Sequence, residues 1–194
     1  MDSTRWDDRY AESELVWSAG PNEFLPPLVE GLEPGTALDI ACGEGRNAIW
    51  LARHGWTVTG IDFSPVGIAK ARRLAGQSTI TWLVADATTW EPEESFDLVI
   101  VFYLQLPAEP FAGAIRMAVE AVAPGGVLFG VGHGARNLGF GYGGPQDPEV
   151  LWREDEIRPL LTGLDIIELG ERERSVEEAD ATAIDVVVHA VRPT

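Results

Sequence analysis

Between Ala37 and Ser64 the sequence reads ALDIACGEGRNAIWLARHGWTVTGIDFS, and this stretch constrains the fold more than any other. An apolar run of strand length meets a Gly-x-Gly turn, a helical pattern follows, and a second apolar run ends on Asp62. Such a unit holds a nucleotide-type ligand at the edge of a parallel sheet. Gly43, Gly45 and Ala48 satisfy G-x-G-x-x-G/A, and Asp62 lies 17 residues beyond Gly45, near the ~20 expected of an acid that binds ribose hydroxyls.

The rest of the chain repeats the alternation. Apolar runs recur at Ala37–Ala41, Thr57–Ile61, Ile80–Val84, Leu98–Phe102, Gly126–Val131, Leu164–Leu169 and Ala183–Val191. The first five are unbroken, as strands are when helices cover both faces of a parallel sheet. Helical punctuation separates them. Asn47 to His54 is closed by Gly55, and Ser64-Pro65 supplies an N-cap and first-turn proline. Phe111, Ile115, Ala118, Val119 and Val122 share one helical face, which Pro124-Gly125-Gly126 is expected to end. A fourth helix is expected from Arg153 to Leu161. The last two runs are joined by a loop alone and should pair antiparallel. One doubly wound α/β domain over 1–194 results. Residues 1–35 form a short helical lid segment before the sheet core of 36–194.

Composition narrows the partners. Fourteen basic against thirty-one acidic residues leave a net charge of −17, a surface that repels nucleic-acid backbones and anionic membranes. With Cys42 as the single cysteine there is no internal disulfide and no cysteine-rich metal site. No apolar run approaches a membrane span, and the acidic start MDSTRWDDRYAESELVW is unlike a targeting peptide. A cytoplasmic setting is the expectation; the oligomeric state is not readable.

Two ligands compete for the glycine turn. A nicotinamide dinucleotide would use the same glycines and Asp62, making the chain an NAD(P)-binding oxidoreductase. Against it stands Asp39, an acid in an otherwise apolar strand, which suits a ligand bearing an ammonium group. Asp86 follows the third strand, where a carboxylate accepts from an adenine amino group. No Tyr-x-x-x-Lys pair occurs, and no second domain remains for a substrate.

The segment DIACGEGRN, with GIDFS and VADAT at successive strand ends, resembles class I S-adenosylmethionine-dependent methyltransferases. It is nearest to the small tellurite-resistance-type and thiopurine-type group. The resemblance covers roughly Thr36 to Val131. Asn47 stands where the family more often has a third glycine. It implies a seven-stranded Rossmann-like sheet, mostly parallel with the last strand antiparallel, and S-adenosylmethionine as cofactor. It further implies that Asp39, Gly43 and Gly45 surround the methionine part and that Asp62 takes the ribose. Phe63 would pack on the adenine, Asp86 and Ala87 would meet its edge, and Tyr103 would lie near the methyl group. Arg46 either holds the ligand's carboxylate or pairs with an acid of the N-terminal segment. Cys42, inside the cofactor turn, reads as a small apolar filler, since no adjacent base activates it.

For the acceptor side, His133 follows the fifth strand on the ligand side of the sheet and is the general-base candidate beside Tyr103. His54 suits a helix C-terminus, His189 a sheet face, and Asp97 a structural place at the far sheet end. Trp6, Tyr10 and Trp17 precede the sheet and are candidates to fold over a sulfonium; a helix simply packed on the sheet is the competing reading. The stretch HGARNLGFGYGGPQD, longer than ordinary connections, is expected to be a lid, with Arg136, Phe140 and Tyr142 facing the acceptor; a glycine-rich loop with no role is the competing reading. Methyl transfer to a small molecule is the activity implied. A non-catalytic S-adenosylmethionine-binding regulator remains an alternative, as does the oxidoreductase. VFYLQLP offers no carboxylate for metal-assisted O-methylation, so no metal is expected.

Overall fold

The computed structural model describes residues 3–16 and 20–194. Its centre is a seven-stranded sheet in the order β3-β2-β1-β4-β5-β7-β6. The strands are β1 (Thr36–Ile40), β2 (Thr57–Asp62), β3 (Ile80–Val84), β4 (Phe96–Phe102), β5 (Val122–His133), β6 (Asp165–Val176) and β7 (Ala181–Val191). Strands β1 to β5 pair parallel, and β7 runs antiparallel to both β5 and β6. This is the expected doubly wound sheet with its last strand reversed.

Helices α1 (Ser3–Glu12), α2 (Leu25–Val29), α3 (Arg46–Arg53), α4 (Pro65–Ala75), α5 (Ala108–Glu120), α6 (Asn137–Phe140) and α7 (Glu154–Ile157) flank it. Two apolar clusters fill the two sheet faces. One gathers Leu38, Val99, Val101 and Trp152 with α5; the other gathers Leu98, Ile100, Phe129 and Val187 with α3 and α4. The alternation of faces along β4, Val99 and Val101 on one and Leu98 and Ile100 on the other, follows from the period of two in a strand.

Local chemistry sets most boundaries. Ser64 Oγ accepts from Gly67 N at 2.9 Å and caps α4, with Pro65 behind it. Gly55 adopts φ +92 just past α3, as a left-handed terminator should. Asp97 lies at the far sheet end, accepting from Thr36 N and Oγ1 at 2.8 and 2.9 Å.

Some boundaries move by one or two residues, and three differ more from expectation. Helix α5 stops at Glu120, and Val122 already pairs with Phe96 in the sheet. Pro124-Gly125-Gly126 therefore forms an irregularity inside β5 instead of terminating a helix. The backbone explains it. Gly125 has φ +77, and a Cβ on Gly126 would lie 2.8–2.9 Å from the carbonyls of Ala123 and Phe96. Strand β6 runs to Val176, well past Leu169, because its polar second half is half-exposed at the sheet edge and carries no apolar run. The fourth helix is short: α7 passes into a 3-10 turn at Arg158–Leu160, where Pro159 cannot donate to an α-helical ladder.

Candidate active site

The carboxyl ends of β1, β2, β4 and β5 bring the motif residues to one edge. After β1 the chain turns through Ala41 at φ 56, Gly43 at φ 56 and Gly45 at φ 79. Gly45 is required twice over, since a Cβ there would also lie 2.4 Å from the Trp82 ring. Asp62 ties this turn to β2. Its Oδ2 accepts from Gly43 N at 2.8 Å and its Oδ1 from Ser64 N at 2.9 Å. Asp39 ties the same turn to α3, accepting from Ala48 N at 3.0 Å through Oδ2.

Both acids are nearly inaccessible, Asp39 at 1% and Asp62 at 5%. Burial lifts the Asp39 carboxyl to about 7, opposed by its bond from Ala48. Burial likewise lifts Asp62 to about 6, opposed by its backbone bonds from Ser64 and Gly43. Burial lowers Arg46, while Tyr103 and Asp39 nearby favour its charged form. Two buried carboxylates with an arginine around a glycine turn fit a ligand that carries an ammonium, a ribose and a carboxylate. Cys42 is buried, its thiol pushed well up by burial, as befits a filler.

The remaining candidates separate. Phe63 is half-buried beside Asp62, and Ala87 is buried. Asp86 is exposed, and its Oδ1 caps a turn, accepting from Thr88 N and Oγ1 at 2.9 and 2.7 Å. Tyr103 and His133 meet at the ends of β4 and β5, ring centroids 4.9 Å apart. Tyr103 sits at φ 57, an unusual backbone for a tyrosine that turns the chain out of the sheet here.

The N-terminal aromatics do not all reach this edge. Tyr10 is 4% exposed, its ring packed where a Cβ on Gly67 would come within 3.1 Å. It serves the packing of α1 on α4. The Trp6 ring lies tilted against Tyr10, centroids 5.6 Å apart, on that same helix, and Trp17 lies outside the described residues. Phe140 and Tyr142 are 79% and 51% exposed, and Arg136 pairs with Glu171 at 2.6 Å. The loop that carries them is pinned by Asn137, whose Oδ1 accepts from Ile184 N at 2.7 Å. Gly144 rests on the His133 ring, where a Cβ would lie 2.7 Å from Cδ2.

Several site residues carry no motif. Asp185 contacts His133 and Tyr103, and Arg174 joins them. Asn22 reaches Asn47 through its backbone N–H at 2.8 Å. Gln105, two residues past Tyr103, has a buried amide nitrogen with no partner among the described residues. Asp185 alone had a legible signal, being the one acid in AIDVVV. Two surface clefts, one ringed by Glu91, Glu94 and Glu120 and one by Pro27, Trp50 and His54, lie away from these residues. Among the described residues no cluster suits a metal ion, and no helix is long and apolar enough to cross a membrane.

Comparison with known proteins agrees with this geometry. Residues 37–126 match a methyltransferase domain model. The chain is 32% identical over 117 residues to a 2-heptyl-1-hydroxyquinolin-4(1H)-one methyltransferase of Mycobacteroides abscessus, covering 56% of this chain and 52% of that protein. It is 29% identical over 132 residues to thiocyanate methyltransferase 1 of Arabidopsis thaliana, covering 63% and 58%. The matched region thus spans about half the length of these curated relatives. The N-methyltransferase NodS of Bradyrhizobium japonicum, solved with S-adenosyl-L-homocysteine, superposes with a TM-score of 0.76 at 23% identity over 100% of both chains. TehB of Haemophilus influenzae gives 0.74 at 17%, covering 96% of this chain and 67% of that one. Residues 37–126, which hold the glycine turn, are thus similar to a methyltransferase domain, and the fold that surrounds them is the one seen in these methyltransferase structures.

Proposed function

We propose that this protein transfers a methyl group from S-adenosylmethionine to a small-molecule nucleophile held over the ends of β4 and β5. The observation that carries the reading is the pairing of two sites on one sheet edge. Asp39 and Asp62 flank the glycine turn, while Tyr103 and His133 stand at the neighbouring strand ends. When bound, S-adenosylmethionine supplies an activated methyl carbon whose bonding pair leaves with the sulfur. The residues' work is alignment and exclusion of water. Asp39 takes the ammonium and Arg46 the carboxylate of the methionine part. Asp62 accepts from the ribose, Phe63 lies along the adenine, and Asp86 and Ala87 flank its edge. Tyr103 and His133 face the acceptor, and the Gln105 amide supplies a hydrogen-bond donor close by. Relatives named for a hydroxyquinolone, a ubiquinone-pathway O-methylation and thiocyanate support a small acceptor, through oxygen or sulfur.

Thermal denaturation with candidate ligands tests the reading. S-Adenosylmethionine and its demethylated product should raise the melting temperature while NAD and NADP do not. At a hundredfold excess over Kd the gain is about 2.7 kcal/mol. A screen of phenols, thiols and amines for methyl uptake follows. Stabilisation by NAD alone sinks the proposal, and binding without uptake by any acceptor class points to a regulator.

A further inference from the structure

Strand β7 is apolar around Asp185, yet this acid is wholly inaccessible. An acid so buried must be paired. Antiparallel registry sets Asp185 opposite His133 on β5 and opposite Arg172 on β6. Its Oδ2 accepts from Arg174 Nε at 2.7 Å and from the Tyr103 hydroxyl at 2.9 Å. Its Oδ1 lies 2.9 Å from His133 Nδ1, and neither of these two atoms has any other hydrogen-bond partner among the described residues. Burial works against the Asp185 carboxylate, but His133 and Arg174 outweigh it and hold the carboxyl below its ordinary range. A carboxylate fixed in this way keeps the imidazole proton on Nδ1 and leaves the Nε2 lone pair open.

We infer that Asp185 is the positioning residue that makes His133 a proton acceptor, and that the methyl acceptor is a neutral hydroxyl compound of the phenol or enol class. The inference rests on the methyl-transfer reading and deepens it. A thiol with a pKa of about 8.5 supplies its own thiolate near neutral pH, whereas a phenol at about 10 does not. A neutral amine attacks through its lone pair without prior deprotonation. A base held by a buried acid is therefore of most use to a hydroxyl. The acceptor's O–H proton passes to His133 Nε2 as its oxygen forms the new bond to the methyl carbon. The carbon–sulfur pair leaves with the sulfur, and the imidazolium then returns its proton to water. The charged and titratable groups around His133 are Asp185 from β7, Arg174 and Glu171 from β6, and Tyr103 after β4. Beyond them lie Arg136, paired to Glu171, and Glu23, 3.5 Å from Arg174.

Nitrogen NMR of the unmodified, ligand-free protein reads the tautomer directly. The neutral imidazole of His133 should carry its proton on Nδ1; a proton on Nε2 overturns the inference. The second measurement uses Asp185→Asn with S-adenosylmethionine, ring-substituted phenols of graded acidity, and thiophenol. The variant should lose tenfold or more in kcat on weakly acidic phenols, progressively less on acidic ones, and little on thiophenol. Its rate on phenols should recover toward high pH, with the acceptor KM nearly unchanged. An equal loss on all acceptors, or an unaltered pH profile, refutes the role. If Asp185→Asn does not fold, His133→Gln is read by the same acceptor series. Transfer to thiophenol or to an amine but to no phenol refutes the hydroxyl class alone; transfer to no phenol, thiol or amine refutes the methyl-transfer reading itself.

Discussion

Lys70 Nζ lies 2.5 Å from Oε1 of Glu44, and both side chains are buried. Glu44 stands between the two glycines of the turn after β1, and Lys70 sits in α4. The pair also gathers the N-terminal segment. Lys70 donates to the carbonyls of Tyr10 and Ser13 at 2.9 and 2.7 Å, and Glu44 accepts from Val16 N at 2.9 Å. Asp7 takes the Ser64 hydroxyl at the start of the same helix. The segment before the sheet is thus strapped to the turn through buried charge.

Breaking one member of such a pair leaves the other buried and unpaired, which costs about 3–5 kcal/mol. Lys70→Met should lower stability by that order in urea denaturation and speed amide exchange over residues 10–16. A loss below about 1 kcal/mol, with exchange unchanged, would mean that the packing of α1 on α4 holds the strap without the pair.

The raised carboxyls make stability depend on pH. Asp39 at about 7 and Asp62 at about 6 lie above their unfolded value of 3.8, so the native state binds more protons than the unfolded state between roughly pH 4 and 7. Their contribution is complete below pH 4 and is lost as pH rises through 6 and 7. Asp185, held low, acts in the opposite sense and only below about pH 4. The ligand-free melting temperature should therefore fall from pH 5.5 to 8, with a shallower slope in Asp39→Asn. Because an ammonium partner favours ionised Asp39, S-adenosylmethionine should bind more tightly as pH rises from 6 to 8. Calorimetry showing no such rise would remove Asp39 from the methionine site.

The parallel half of the sheet was legible because its strands are continuous apolar runs and its turn needs glycine. What was not legible is long-range pairing. Lys70 has the spacing of an ordinary helix cation, and only the fold brings it onto Glu44. The second half of β6, GERERSV, alternates charges and reads as surface, yet it delivers Arg174 to Asp185. Asp185 carried the same signature as Asp39, one acid in an apolar strand. It lacked a neighbouring motif to say what it meets. Tyr10 stays open in the sequence for a related reason: an aromatic ahead of a sheet fits a lid or a packing helix equally well, and its burial against Gly67 favours packing.

Asp62 and Asp86 should separate in binding. Asp62→Ala removes an acceptor whose charge-assisted bonds are worth about 1.5–3 kcal/mol each, and it frees Gly43 N and Ser64 N. Affinity for S-adenosylmethionine should fall at least tenfold. Asp86 is exposed and spends Oδ1 on Thr88, so Asp86→Ala should cost less than threefold. The reverse order by calorimetry would make Asp62 a turn residue and Asp86 the main ligand anchor.

The loop after β5 is tied down at one buried side chain. Asn137 is 1% exposed, accepts from Ile184 N on β7, and donates to Gly143 O at 2.9 Å. Beyond it Gly144, at φ 76, lies on the His133 ring. The same short segment therefore closes over His133, the proposed base, and anchors to the strand that carries Asp185. Asn137→Ala leaves the Ile184 amide unpaired in the interior, a cost of about 1–3 kcal/mol. Faster amide exchange should then appear across 138–146. If the loop walls the acceptor site, the acceptor KM should rise several-fold while S-adenosylmethionine affinity stays within twofold, since Asp39 and Asp62, the acids proposed to hold the cofactor, lie on β1 and β2. A loop that exchanges faster with kcat and KM unchanged would show that it covers His133 without touching the acceptor, and Phe140 and Tyr142 would then have no part in recognition.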